Sequence, residues 1–574
     1  MFATWLKNDF ADTVNNKVKE NKVNAMEQLE LDVQGMTCDA CVRHVSRALQ
    51  QVDGVAEAAV PGWQSGKATV KAAPGITAET LAEAVQAAGY SATVKSRQPL
   101  NTPGSRNGSY DYDLMVIGGG SAGFAAAIKA AELGYHAAIV EAGTMGGTCV
   151  NVGCVPSKAL IRAVETAYQA GTHRFQGVHT APGQIEWPKV IAQKDGLVAS
   201  LRQGKYADVL AGYPDIDYIE GHATLTGKNS VEINGRTYKP YRILIATGAR
   251  SWAPPIDGLA EAGYLDSTAA LDLKERPNSM IVLGANAVGL ELAQVYARAG
   301  TFVTVVELLP RIAPFEDEEI SVALADYLEE EGLRILAGFE TKRVRKENGR
   351  YHITGLHQDQ EVTLNAEQLL VATGRRPNTA NMGLEDVGVK LGKRGEILVD
   401  DTLRTDNPFV YAAGDVTGQD MFVYVAAYAG GLAAENALNG LSAPLDTSYI
   451  PCITFTDPQV ASAGLTEAQA VEQGYNVKVS TLAMSHVPRA LAARDTRGLI
   501  KLVADADSDR LLGAHILAPE GGELIQTAVL AIRFGITVSQ LRQTMFPYLT
   551  NVEGIKLALL GFEKDVALLS CCAG

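Results

Sequence analysis

Residues 113–127 read DLMVIGGGSAGFAAA. An apolar run ends in Gly118-x-Gly120-x-x-Gly123, and an alanine-rich helical segment follows. Gly118 permits the tight turn, Gly120 lets a pyrophosphate approach the backbone, and Gly123 lets the helix pack closely on the strand. Ser121 and Ala122 open the helix and join the same candidate cofactor set. The next strand, AAIVEAG (137–143), ends in Glu141, a carboxylate placed to accept hydrogen bonds from adenosine ribose hydroxyls. Strand, glycine turn, helix and acidic residue are therefore all in place for one dinucleotide site.

A second copy lies downstream. MIVLGANAVGLELA (280–293) keeps Gly284 and Gly289 but has Asn286 at the middle glycine, and FVTVVELLPR (302–311) carries Glu307 at its strand end. An acidic residue there favours the free 2′-hydroxyl of NADH over the phosphate of NADPH. Around both turns, Val/Ile-rich strands alternate with Ala-rich helices, which predicts parallel sheets with crossover helices. After about residue 450 the texture is that of a separate α+β domain.

Residues 29–95 form a smaller unit. Leu29–Val33 alternates as a strand, a helical pattern runs through Val42, Val45, Leu49 and Val52, and strands start at Gly54-Val55 and cover Lys67–Val70. A second helix spans Ala78–Ala88, Gly89 caps it, and Tyr90–Val94 closes the unit. The order βαββαβ is ferredoxin-like. SRQPLNTPGSRNGSY (96–110) has the composition of a flexible linker.

The chain has 574 residues, 47% hydrophobic and 20% charged, so several soluble domains are expected. A net charge of −15 opposes a nucleic-acid partner, which needs a basic face. Met1–Gln28 is polar, without a secretory apolar core, and no uninterrupted apolar run is long enough to span a bilayer. A cytoplasmic protein is expected. Six of the seven cysteines fall in close pairs, Cys38/Cys41, Cys149/Cys154 and Cys571/Cys572, which points to redox chemistry or soft-metal binding. Cys452 stands alone in apolar surroundings and reads as an inert core residue.

GGTCVNVGCVPSK (146–158) places Cys149-x-x-x-x-Cys154 before Pro156-Ser157-Lys158. With the two glycine turns, ILIATGA (243–249), VATGRRPN (371–378) and VYAAGDV (410–416), it resembles the pyridine nucleotide–disulphide oxidoreductase family over residues 111–560. The resemblance implies a homodimer with active sites at the subunit interface. It implies an FAD domain at 111–255 and 380–448, an NAD(P)H domain at 256–379 and a dimerisation domain at 449–574. Gly147, Thr148, Thr247, Gly248 and Asp415 join the FAD contacts. Cys154 becomes the thiolate against the flavin, Cys149 the exchanging thiol, and Lys158–Glu291 the ion pair beside the flavin's reactive nitrogen.

Disulfide reductases of this family carry a His–Glu dyad near the C-terminus. MFPYLTNVEG (545–554) keeps Glu553 but has Tyr548 in place of the histidine. A phenol with a pKa near ~10 is a poor base at neutral pH. Tyr548, Tyr206 in LRQGKY (201–206) and the terminal Cys571-Cys572-Ala573-Gly574 resemble the mercuric reductases of the family. GMTCDAC (35–41) resembles the heavy-metal-associated domains: Cys38 and Cys41 suit a two-coordinate ion rather than zinc, and do not by themselves separate Cu(I) from Hg(II). His44 is expected on the exposed helix face.

The resemblance implies NAD(P)H-driven reduction of thiol-bound Hg(II) to Hg(0). The ion would pass from Cys38/Cys41 to Cys571/Cys572, then to the partner's Cys149/Cys154, after hand-off from mercury transport proteins. Family resemblance favours NADPH, while Glu307 favours NADH. Two rival readings are a lipoamide-dehydrogenase-like disulfide reductase and a copper-binding protein with a flavin redox module.

Overall fold

The computed structural model describes residues 27–73, 76–99 and 110–566. In the N-terminal unit, Glu27–Gln34 alternates so that Leu29, Leu31 and Val33 turn inward. The helices Asp39–Gln50 and Ala78–Ala87 each add two buried side chains, Val45 with Leu49 and Leu81 with Val85. Val55–Ala59, Lys67–Ala72, Glu27–Gln34 and Ser91–Pro99 lie side by side in that order as one antiparallel sheet. The last strand was expected to end at Val94, yet it pairs on to Pro99, opposite Glu27. Residues 96–99, read as linker from their Pro/Ser content, are thus strand: backbone pairing along an edge tolerates a terminal proline.

Leu114–Ile117 is buried at all four positions, as a central parallel strand covered on both faces must be. Its parallel sheet runs Val410–Ala412, Arg242–Ile245, Leu114–Ile117, Ala137–Glu141, Ile216–Glu220. The helix Ser121–Glu132 packs against Val423–Asn439, where a Cβ on Gly430 would come 2.1 Å from the Ala122 carbonyl oxygen. A second parallel sheet orders Arg334–Ala337, Phe302–Glu307, Ser279–Leu283 and Gln368–Val371. The C-terminal region is a five-stranded antiparallel sheet, with Gly521–Arg533 and Glu553–Leu560 closing its core.

One helix joins these regions. From Ala287–Arg298, Glu291 accepts from the Phe455 N–H at 2.9 Å, and Gln294 bonds both the N–H and the carbonyl of Asp457 at 2.8 and 2.9 Å. Arg298 pairs with Glu331 at 2.6 Å and with Asp457 at 2.8 Å, and Arg497 reaches the same two carboxylates at 3.3 and 2.8 Å. Among the described residues no helix is long and apolar enough to cross a membrane.

Candidate active site

The first glycine turn lies at one wall of a cavity of about 580 Å³, within the range of cofactor sites. Gly118 has φ +116°, and a Cβ there would stand 2.2 Å from the Ala246 oxygen; one on Gly123 would stand 1.9 Å from the Gly118 oxygen. These two glycines serve packing. A Cβ on Gly120 would meet only Gly147 Cα, at 3.8 Å, so this one leaves room for a ligand. Glu141 is fixed by the Gly119 N–H at 2.6 Å and the Gly143 N–H at 2.7 Å.

The redox loop grows from two helices. Gly147–Val152 carries Cys149, and Gly153 breaks it, since a Cβ there would sit 2.9 Å from the Thr148 oxygen. Cys154 then begins the 19-residue helix Cys154–Thr172, where the helix end favours a thiolate. Both cysteines are free thiols and both line the cavity. The Cys149 thiol donates toward the Cys154 sulfur, and with help from the Lys158 ammonium this lowers Cys154 to about 7 against the cost of burial. Cys149, holding the shared proton for its neighbour and partly buried, is pushed up. The pair therefore passes from two thiols to one thiolate and one thiol as the pH rises through about 7.

Lys158 Nζ lies 2.6 Å from Glu291 Oε2 and 4.5 Å from the centre of the Phe455 ring. Lys158, Glu291, Ser121, Ala122, Thr148, Thr247, Gly248 and Asp415 all line the same cavity. Burial raises the Asp415 carboxyl, with Arg375, Nε at 3.8 Å, opposing. Tyr206 sits on the π-helical turn Gln203–Ala207, half-buried, with its ring edge-on to Phe124 at 4.8 Å. Burial raises its hydroxyl, the Ser121 side chain opposes, and the charges of Cys149 and Cys154 add to the rise.

The structure does not bring every expected residue to this cavity. Tyr548 and Glu553 do not line it within one chain: Tyr548 is 58% exposed, and Glu553 accepts the Leu549 N–H at 3.3 Å. Cys571 and Cys572 lie outside the described residues. Cys38 and Cys41 form their own surface site, sulfurs 3.5 Å apart. The Thr37 N–H and the Tyr90 hydroxyl lower Cys41 to about 6. His44 is exposed on the helix, as expected. Burial lifts the Cys452 thiol to about 12 and keeps it protonated.

Three contributors escaped the sequence reading. Phe455 reaches Lys158 only through the fold. Arg375 sat inside a quoted motif without a role. Asn151, between the two cysteines, donates to the Met145 and Gly147 carbonyls at 2.9 Å each and accepts from Arg202 at 3.1 Å, which pins the redox loop. Its position inside the Cys-x-x-x-x-Cys spacing was the available signal.

The second glycine turn repeats the first. Gly284 has φ +99°, a Cβ on Gly289 would stand 1.9 Å from the Gly284 oxygen, and Glu307 accepts the Ala285 and Leu309 N–H groups at 2.8 and 2.9 Å. The donor sets thus fit FAD in the cavity and a nicotinamide dinucleotide at the second turn.

The family profile of the pyridine nucleotide-disulphide oxidoreductases matches residues 112–430, that of their dimerisation domain 450–559, and that of the heavy-metal-associated domain 30–91. The chain is 43% identical to the mercuric reductase of Staphylococcus aureus, covering 95% of this chain and 99% of that one. It is 42% identical to that of Bacillus cereus over 97% and 88% of the two chains.

The chain belongs to the mercuric reductase family.

Within that family the Streptomyces lividans enzyme is 46% identical over 81% of this chain and 98% of its own. Among solved structures, an HOCl-induced flavoprotein disulfide reductase from Escherichia coli superposes with a TM-score of 0.71 at 30% identity, covering 78% of this chain and 99% of that one. The fold is that of the wider oxidoreductase family, with an N-terminal heavy-metal-associated domain. FAD and a reduced nicotinamide are the cofactors, NADPH in the family at large. The dimerisation domain marks a chain that pairs with a second copy.

Proposed function

We propose that the chain reduces thiol-bound Hg(II) to Hg(0) at the Cys149/Cys154 pair, with electrons from NAD(P)H. The observation that carries this reading is the low-titrating Cys154 thiolate beside Cys149 in a cavity shared with the Lys158–Glu291 pair. Two sulfurs suit a soft ion that accepts linear dithiolate coordination.

Bound FAD supplies the two-electron connection between nicotinamide and the metal. Gly120, Glu141, Thr247 and Asp415 would hold it, and Lys158, fixed by Glu291, would face its reactive ring. Cys149 and Cys154 displace the incoming thiolates one at a time, so the ion changes ligands without being released. In balance, NAD(P)H and Hg(II) give NAD(P)+, one proton and Hg(0). The neutral atom has little affinity for the two sulfurs and departs.

Tyr548 and Glu553 act, in this reading, on the cavity of the partner subunit, with Tyr206 on the near side. The phenols of Tyr548 and Tyr206 line the metal path, and neither replaces the imidazole that disulfide exchange needs. Cys571 and Cys572 carry the ion to the partner's dithiol, and Cys38/Cys41 collect it in the cytoplasm from transport proteins. The test is Hg(II)-dependent oxidation of NADPH and of NADH in excess thiol, beside lipoamide and glutathione disulfide as alternative substrates. Turnover with a disulfide and none with Hg(II) would overturn the reading.

A further inference from the structure

We infer that the second dinucleotide site selects against a 2′-phosphate, so that this chain prefers NADH. The inference rests on the proposed use of a nicotinamide reductant and concerns which form enters. The two dinucleotide sites of this chain are built alike.

In the first site Glu141 accepts one N–H from the residue after Gly118 and one from the residue two places beyond itself, at 2.6 and 2.7 Å. In the second, Glu307 accepts from the residue after Gly284 and from the residue two places beyond itself, at 2.8 and 2.9 Å. Both carboxylates end the second strand of their unit, and the glycine contacts behind them match. The first site suits FAD, whose adenosine ribose carries free hydroxyls. A site that duplicates its carboxylate geometry is shaped for the same unphosphorylated ribose.

The electrostatics agree. Glu307 is buried, and its two backbone donors hold it in place, so it cannot swing aside for a second anion. Among the described residues no lysine or arginine forms an ion pair with it. Arg311, four residues on, donates through one terminal nitrogen to the Pro314 carbonyl at 3.1 Å, and its other terminal nitrogen is buried and makes no hydrogen bond. A 2′-phosphate brings about two negative charges. Set beside a fixed carboxylate, it should weaken binding on the order of tenfold to a hundredfold.

The test needs neither mercury nor turnover. ADP-ribose and 2′-phospho-ADP-ribose are titrated calorimetrically into the full-length, FAD-loaded protein. ADP-ribose should bind at least about tenfold more tightly, and Glu307→Gln, checked for flavin content and melting temperature, should narrow the gap. Equal or tighter binding of the 2′-phosphorylated probe by the wild-type protein would overturn the inference, as would failure of ADP-ribose to bind. A chain that shows this preference yet leaves Hg(II) untouched would contradict the proposed reaction and leave the nucleotide preference standing.

Discussion

Lys158 and Glu291 meet at 2.6 Å across the two nucleotide-binding units, the lysine on the redox helix and the glutamate on Ala287–Arg298. Glu291 is the buried partner, its side chain 6% exposed against 31% for the lysine. Lys158→Met should therefore leave an uncompensated carboxylate and cost roughly 3 kcal/mol of stability. It should also remove a cation that lowers Cys154. The combined readout is denaturant unfolding together with thiol alkylation against pH. An unchanged alkylation profile would separate Lys158 from the thiolate.

The wild-type alkylation profile is itself a prediction. The folded Cys154 is depressed from 9.0 to about 7, so its thiolate is present above that pH and is lost as the pH falls through it. The fast phase of iodoacetamide modification in the reduced enzyme should have its midpoint near pH 7 and should vanish in Cys154→Ala. A midpoint at the ordinary thiol value would contradict the shared-proton arrangement.

Two glycines in one motif should respond in opposite ways. Gly120→Ala places its methyl group in the open cavity and should give a folded protein that no longer retains flavin. Gly123→Ala drives a methyl into the Gly118 carbonyl and should lower stability by several kcal/mol. Flavin absorbance and thermal melting of the two variants distinguish the roles.

The Arg298 and Arg497 guanidiniums together neutralise Glu331 and Asp457 where all four are largely buried. Arg298→Met should destabilise the protein by about 3–5 kcal/mol, while Arg298→Met combined with Glu331→Gln should recover part of that loss. Urea unfolding of the three proteins measures it. No recovery in the double variant would show that the network is not coupled.

Replacing Cys571 and Cys572 with Ala should block turnover of Hg(II) held by bulky thiols and spare reduction by the nicotinamide. A mixed dimer of this variant with a Cys149/Cys154-deficient chain should keep one working site. An inactive mixed dimer would confine delivery to a single chain.

The glycine turns, the Cys149–Cys154 spacing and the N-terminal βαββαβ unit were legible because each is local: backbone geometry or metal ligation fixes the residue types at short range. The Lys158–Glu291 pair came through resemblance, as its members are far apart in sequence. Phe455 and the Arg298–Asp457–Arg497 network stayed hidden because nothing nearby in the chain demands them. The strand end at Pro99 was missed because its composition mimics a linker. Tyr548 is a different case, conspicuous in sequence and absent from its own chain's cavity.

Because Ala287–Arg298 is anchored at Glu291, Gln294 and Arg298, it cannot roll about its axis or pull away without breaking bonds to another region at every turn. The unit that carries the second glycine turn is thereby tied to the C-terminal region along one face of a single helix. A change that loosens the C-terminal sheet would be felt first at Glu291, and through it at the lysine of the redox helix.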